Sequence, residues 1–218
     1  MGEEYTNILF EGLTVRNAKI LNTIFKNVHF KNCYLGFDSI YSSCMFENCK
    51  FFGKYSSLGR PSKYLNCKFV NCLFIGLNLF EGQTFIECSF SGKIKNAILR
   101  DEHPNIKNAQ TIFDKCNLSE TIFDCVNIYG NSIFRNTYLP KKGIRLYKNQ
   151  GDSLLKRAIN FCSKIKDDSK IESEVIFRES KRGQDPIILD EIFLSTFFKT
   201  NESKEIFDEI VKGFEINE

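Results

Sequence analysis

Apolar residues, most of them phenylalanine, recur every five positions through the first two-thirds of this 218-residue chain. The period excludes an α-helix, because five residues advance about 500° and would carry the apolar side chains around every face. It also excludes a flat strand, because an odd spacing sends successive side chains to opposite faces. The chain must therefore turn a corner after every five residues, which keeps each apolar centre inside. The 23 centres are Phe10, Val15, Ile20, Phe25, Phe30, Leu35, Tyr41, Phe46, Phe51, Tyr64, Phe69, Phe74, Leu79, Phe85, Phe90, Ile94, Leu99, Phe113, Leu118, Phe123, Ile128, Phe134 and Leu139.

Two further columns accompany the centres. The position two residues before a centre usually holds a small residue, and seven of the nine cysteines of the chain occupy it. The position two residues after a centre favours asparagine, which tolerates the left-handed backbone conformation of a bend. If four sides close one turn and turns stack at about 4.8 Å, the centres and the small residues fill a core of about six turns.

The segments 23–27 (TIFKN), 44–48 (CMFEN), 67–71 (CKFVN) and 121–125 (TIFDC) carry both inward columns together. They resemble the repeats of the pentapeptide-repeat family, and the resemblance extends over about residues 5–140. It implies a right-handed quadrilateral β-helix and a protein that is not an enzyme. The expected fold is therefore mainly β, a pentapeptide-repeat solenoid followed by a small α-helical C-terminal domain at residues 146–218. The predicted structural core comprises Phe25, Phe30, Cys44, Phe46, Cys49, Phe51, Cys67, Phe69, Cys72, Phe74, Cys88, Phe90, Phe113, Cys116, Phe123 and Phe134.

Two interruptions of the period are too long to be one-residue bulges. Residues 52–63 and 100–110 contain Gly, Pro and Ser or charged residues, and their composition predicts loops that project from the solenoid. Loops on a rigid scaffold frequently carry the binding residues. The candidate partner-contact residues are Tyr55, Arg60, Pro61, Asp101 and His103. Three aromatic residues beside bulges or loops could either mark a contact patch or plug a corner, namely Phe37, Phe52 and Phe80.

After residue 143 the apolar period changes from five to 3.6 residues, which predicts helices. The first predicted helix contains Leu154 and Cys162; a second begins at a capping box of Ser169 and Glu172. Asp185 followed by Pro186 predicts the start of a third helix, and the run 206–214 predicts a fourth. An open solenoid end needs a cap, so residues 146–218 are expected to cap the solenoid, to form a homodimer contact or to recruit a partner.

No apolar run approaches the ~20 residues of a membrane span, and the acidic N-terminus lacks a signal-peptide core. We therefore expect a cytoplasmic protein without membrane contact, whose cysteines are reduced. We call the seven cysteines that lie two residues before a centre the slot cysteines. They are spaced by five or more residues, unlike the close pairs of zinc sites. His29 and His103 lie in no triad or metal pattern. These observations predict no catalytic residue, no cofactor and no metal.

Three functions are open at this point. The first is a scaffold for protein–protein interaction whose partner is not specified. The second follows from a resemblance to the quinolone-resistance branch of the family, which implies binding to DNA gyrase by imitation of DNA. The third is binding of nucleic acid or another anionic surface, because residues 1–145 carry 18 basic and 12 acidic residues, a net charge of +6. A DNA mimic needs a carboxylate-rich face, and we expect none from the acids on the predicted outer surface, namely Glu47, Glu81, Glu87, Glu120 and Asp124.

Overall fold

Short parallel strands stack in four ladders, and each ladder forms one flat face of a solenoid of about six turns. The computed structural model describes residues 2–100, 110–130, 133–165 and 184–216. The expected four-sided β-solenoid with a few C-terminal helices is confirmed. Each turn of the chain visits the first, second, third and fourth face in order. Residues about 20 to 23 apart are therefore neighbours on adjacent turns, and the separation rises to 28 or 29 where a longer insertion lies between them.

The first two faces share three long strands that continue around the corner between them. The first face contains Glu4–Thr6, Ile24–Lys26, Met45–Glu47 and the first halves of Lys68–Ile75, Ser89–Lys95 and Asn117–Asp124. The second face contains Leu9–Glu11, His29–Lys31, Lys50–Phe52 and the second halves of those long strands. The third face contains Thr14–Arg16, Tyr34–Phe37, Ile98–Arg100 and Asn127–Tyr129. The fourth face contains Lys19–Leu21, Ser39–Ser42, Ser62–Leu65, Gln83–Ile86, Ile112–Asp114 and Phe134–Arg135.

The predicted centres form stacked columns inside the solenoid because residues at one repeat position lie directly above each other. On the first face the rings of Phe46 and Phe69 stack at 4.8 Å between centroids, and Phe69 and Phe90 at 4.6 Å. On the fourth face Tyr41 and Tyr64 stack at 4.7 Å. All predicted core residues are buried except Phe134, which is partly buried near the C-terminal end.

Asparagines at the corner between the first and second faces bond to each other along the solenoid. The side-chain amide of Asn27 donates to Asn7 at 2.9 Å, and that of Asn71 donates to Asn48 at 2.8 Å. Asn27, Asn48 and Asn71 have φ between 51° and 53°, the left-handed conformation that asparagine tolerates best among residues with a side chain. Three pairs of successive centres are six residues apart rather than five, and all three span the corner between the third and fourth faces: Leu35 and Tyr41, Leu79 and Phe85, and Ile128 and Phe134.

The prediction that all of residues 52–63 project as a loop is wrong. Only the start of the segment projects, and Tyr55 is 70% exposed. Ser57 then forms a β-bridge with Tyr34 on the third face. Leu58, which follows it, is completely buried and is the core residue of the third face in this turn. The sequence obscured this because two inserted residues displace Leu58 from the five-residue period. The other predicted loop, residues 100–110, lies mostly outside the described residues.

Of the two alternatives for Phe80, a surface contact or a residue that plugs a corner, the structure supports the second. Its side chain is completely buried and packs against Phe74, Phe85 and Phe113 with ring centroids 5.3 to 6.2 Å apart. It fills the corner where one turn contains an extra residue. Phe52 is partly buried and Phe37 remains 47% exposed.

The described C-terminal part combines a two-stranded antiparallel sheet with three α-helices and a short 3-10 helix, Gln150–Asp152. The strands Ile144–Tyr147 and Ile187–Asp190 pair in register. The helices are α1 (Ser153–Lys164), α2 (Glu191–Phe197) and α3 (Asn201–Val211). The helix predicted to begin at Asp185 is wrong, because residues 187–190 form a strand whose four side chains are all buried. The helix predicted from Ser169 lies outside the described residues.

The strand Ile187–Asp190 joins the helices to the end of the solenoid. Ile188 packs into the solenoid core, whereas Ile187 and Leu189 point to the other side and pack with α1 and α3. Asp190 is 1% exposed and accepts two hydrogen bonds, from the backbone N–H of Val126 at 3.0 Å and from that of Phe193 at 2.7 Å. The same carboxylate therefore binds the solenoid and caps α2.

Candidate protein-binding surface

Several charged side chains on the outside of the solenoid pair with an opposite charge on the neighbouring turn. Each of the five carboxylates named above as candidates for a DNA-like face has a basic partner within 4 Å. The pairs are Glu47 with Lys26, Glu81 with Arg60, Glu87 with Lys115, Glu120 with Lys141, and Asp124 with Lys93 and Lys95. These carboxylates are also spread over several faces and corners, so none of the faces described here is dominated by acidic residues.

Asp124 is the most buried of these acids, with 10% of its side chain exposed. Burial by itself would raise the pKa of its carboxyl, but hydrogen bonds from Lys93 and Lys95 outweigh that effect and hold the pKa below its usual range. The carboxylate is therefore committed to neutralising two lysines of the preceding turn.

On the fourth face, aliphatic side chains point outward from five of the six strands. We call these residues the apolar band, namely Leu21, Ile40, Leu65, Ile86 and Ile112. Leu65 and Ile86 are direct neighbours in the ladder, and Leu21 is 52% exposed. Charged residues are interspersed with the band, since Lys19 and Lys63 flank Ile40 in the ladder and Asp114 lies next to Ile86. A mixture of apolar and polar side chains is usual in a protein-binding surface.

Sequence reasoning did not find the apolar band, although its signal is present. The residues directly before or after a centre point outward, and on the fourth face many of them are Leu or Ile. Aligning the repeats by fives mixes the four faces and hides this column. Aligning them by turns, about 20 residues apart, would have separated the faces.

The predicted contact residues occupy two different corners. Tyr55 projects between the second and third faces, and Lys54 lies over its ring at 5.4 Å. Arg60 is largely committed to the solenoid, since its guanidinium pairs with Glu81 at 3.4 Å. Pro61 is exposed between the third and fourth faces, beside the turn that carries the exposed Phe37. Asp101 and His103 lie outside the described residues.

The slot cysteines line the core, where they act as small apolar residues. The thiol of Cys88 contacts the carbonyl of Tyr64 at 3.2 Å, and that of Cys72 contacts the carbonyl of Phe46 at 3.2 Å. Burial raises the pKa of the Cys33, Cys72 and Cys88 thiols, which keeps them protonated and poorly nucleophilic. Cys125 is only partly buried, and burial again raises its pKa.

Neither a metal centre nor a membrane span is found in the residues that the structure describes. No three His, Cys, Asp or Glu side chains among them are grouped so that they could hold a metal ion. None of the described helices has the length and apolar character to cross a membrane.

No protein-family model and no curated protein matches the sequence. Among solved structures, three of QnrB1, a plasmid-mediated fluoroquinolone resistance protein, are similar to this chain. One trypsin-treated variant shares 12% identity and a TM-score of 0.25, covering 63% of this chain and 72% of its own. A second trypsin-treated variant shares 15% identity and a TM-score of 0.20, covering 65% and 86%. The full-length form shares 15% identity and a TM-score of 0.19, covering 64% and 87%. At these scores the description of the fold rests on the repeat geometry of the chain itself.

Proposed function

We propose that this chain, a pentapeptide-repeat protein by its five-residue period and its four-sided solenoid, is a non-catalytic scaffold that binds a protein partner on its fourth face. The observation that carries the proposal is the apolar band. Aliphatic side chains such as Leu65 and Ile86 lie next to each other on a six-stranded ladder and point away from the solenoid core. Their burial against a partner would contribute about 25 cal/mol for each Å² of apolar surface removed from water.

The rigidity of the ladder supports this function as well. The four inner strands of the fourth face are fixed by backbone hydrogen bonds to both neighbouring turns and by the stacked rings beneath them, such as Tyr64 and Phe85 at 5.0 Å. A partner that binds such a surface does not have to order a flexible loop, and this lowers the entropic cost of association.

The charge distribution favours this partner class over DNA gyrase. A protein that imitates DNA must present unpaired carboxylates to a groove built for phosphates. Here Glu47 and Glu81 are offset by Lys26 and Arg60, and Glu87, Glu120 and Asp124 are paired in the same way. The proposal therefore rests on apolar contact and shape.

We assign the C-terminal part the role of a cap in the same proposal. Ile188 fills the end of the solenoid core and Asp190 satisfies a backbone N–H of the sixth turn. Such contacts cover strand edges that would otherwise pair with another chain. The helices beyond this strand pack mainly on each other around Phe207 and Leu154.

The test is capture of the partner from native lysate on immobilised protein, with a matched pair of variants. Ile86→Glu places a charge in the apolar band, whereas Ile122→Glu places the same charge on the second face, where the native side chain is 49% exposed. Both positions point outward, so neither variant is expected to lose its circular dichroism spectrum or cooperative unfolding. We expect Ile86→Glu to lose the captured protein and Ile122→Glu to retain it.

Equal capture by both variants would overturn the assignment of the fourth face. Loss of capture with Ile122→Glu alone would move the binding surface to the second face.

A further inference from the structure

No described residue covers the N-terminal end of the solenoid, whereas the C-terminal end is covered by the strand Ile187–Asp190. Each first-turn strand pairs on one side only, with the strand of the second turn. The core residues of the first turn, Tyr5, Phe10, Val15 and Ile20, are only partly buried, whereas their second-turn counterparts are buried. Together they line a cavity of about 550 Å³ that opens at this end.

The backbone of the first turn presents unpaired groups in a regular order. One turn further on, Ile24 donates its N–H to the carbonyl of Glu3 at 2.9 Å, and Lys26 accepts from the N–H of Asn7 at 3.0 Å. The equivalent residues of the first turn are Glu4 and Thr6, whose N–H and C=O groups point out of the open end. The other three faces repeat this arrangement, so the end is a square of four strand edges ready to pair.

We propose that this end binds the same end of a second copy of the chain, with the first face of one copy on the fourth face of the other and the second face on the third. A two-fold axis perpendicular to the solenoid reverses the chain direction, so facing strands are antiparallel. With Tyr5 opposite Ile20, the outward-pointing backbone groups of Thr6 and Lys19 face each other. Residues opposite in this way exchange two hydrogen bonds in an antiparallel ladder.

The charges of the first turn select this arrangement. Glu4 lies on the first face and Glu11 on the second, whereas Arg16 lies on the third and Lys19 on the fourth. Glu11 also pairs with Lys31 of the second turn at 2.8 Å, but both side chains are largely exposed, so this pair holds the carboxylate only weakly. Two square ends can be joined by a two-fold axis in four orientations. The axis passes either through two opposite corners, in two ways, or through the middles of two opposite faces, in two ways. Only the axis through the corner between the fourth and first faces sets both acidic faces against both basic faces. The long side chains then reach their partners diagonally across the antiparallel pairs.

The core residues favour the same arrangement. It places Tyr5 over Ile20 and Phe10 over Val15, so that each aromatic ring of one copy covers a smaller aliphatic side chain of the other. The axis through the other two corners would instead stack Tyr5 on Phe10 and Val15 on Ile20. The large side chains would then be concentrated on one side and a gap would remain on the other.

Sedimentation velocity of the full chain and of two charge-reversed variants tests the proposal. The variant Arg16→Glu/Lys19→Glu makes all four faces of the first turn acidic, and Glu4→Lys/Glu11→Lys makes all four basic. We expect the native chain to dimerise and each variant alone to have a dissociation constant raised by about tenfold or more. An equimolar mixture of the two variants should recover the dimer, because every facing pair is then opposite in charge.

The control variant Lys68→Glu/Arg135→Glu reverses two exposed charges on later turns and should dimerise like the native chain. Circular dichroism and thermal unfolding establish that each variant is folded. A monomeric native chain, a dimer insensitive to both reversals, or a mixture that stays monomeric would each overturn the proposal.

Discussion

Phe69 shows how one residue type at one repeat position builds the core. Its ring is 1% exposed and lies between the rings of Phe46 and Phe90 on the adjacent turns. Offset stacking of this kind contributes about 0.5–1.5 kcal/mol beyond the burial of apolar area. The absence of tryptophan from the chain is consistent with a slot whose height is set by the spacing of the turns.

The first prediction concerns this slot. We expect Phe69→Ala to lower the free energy of unfolding by about 3–5 kcal/mol, because the rigid turns above and below cannot collapse into the cavity. Val70→Ala, next to it but 39% exposed, should lower that free energy by only about 0.5 kcal/mol. Urea unfolding measures both variants. A loss below about 1 kcal/mol for Phe69→Ala would show that the slot is not tightly packed.

Individual residues of the core were predictable because inward columns repeat, so an error at one position does not affect the others. Residues on the outside lack this redundancy. The exposure of Tyr55 followed from composition, but the commitment of Arg60 to Glu81 depends on which turns are adjacent. The ion pairs of acids such as Glu47 and Glu87 could not be predicted either, because each joins residues on adjacent turns that are more than 20 positions apart in the sequence.

The strand Ile187–Asp190 shows how an element gains its conformation from both of its neighbours. Ile188 faces the solenoid and Leu189 faces the helices, so a strand buries both sides. The local sequence, with an Asp and a Pro before an apolar run, favours a helix start. The pairing with Ile144–Tyr147 overrides that preference, because tertiary contacts outweigh local propensity in short elements. The five-residue period does not predict this strand pairing, because both strands lie after the repeats end.

The second prediction concerns Asp190. Asp190→Ala should lower the free energy of unfolding by about 2–4 kcal/mol, because it removes a helix cap and leaves the buried N–H of Val126 without its acceptor. Asp208→Ala, on the exposed side of α3, serves as the control and should change stability by about 0.5 kcal/mol or less. Thermal or urea unfolding monitored by circular dichroism distinguishes the two. Equal effects of both substitutions would show that Asp190 does not hold the C-terminal part to the solenoid.

The solenoid is a rod whose two ends differ in whether described residues cover them, and whose faces differ in the side chains they expose. Its C-terminal end is covered by the strand that contains Ile188, while its N-terminal end presents the strand edges around Tyr5. The sequence predicted the solenoid because two inward columns persist through it. It did not predict the chemistry of each face, because neighbours on a face are about 20 residues apart and loop lengths decide their register.

The third prediction concerns gyrase at this scale. Because the five candidate carboxylates are ion-paired and no described face is dominated by acids, we expect the protein not to protect DNA gyrase from quinolones in a supercoiling assay. A quinolone-free reaction with the same protein concentration controls for direct inhibition. Protection at about micromolar protein would establish gyrase as the partner and would require the acids to act in spite of their pairing.

The most direct test of partner binding on the fourth face is lysine footprinting of the captured complex. Lys63 and Lys68 are both exposed, but Lys63 lies on the fourth face beside Ile40 and Lys68 lies on the first. Acylation of both lysines is quantified by mass spectrometry in the free chain and in the complex. We expect acylation of Lys63 to fall several-fold in the complex while that of Lys68 stays the same. Protection of Lys68 with Lys63 still reactive would contradict the assignment.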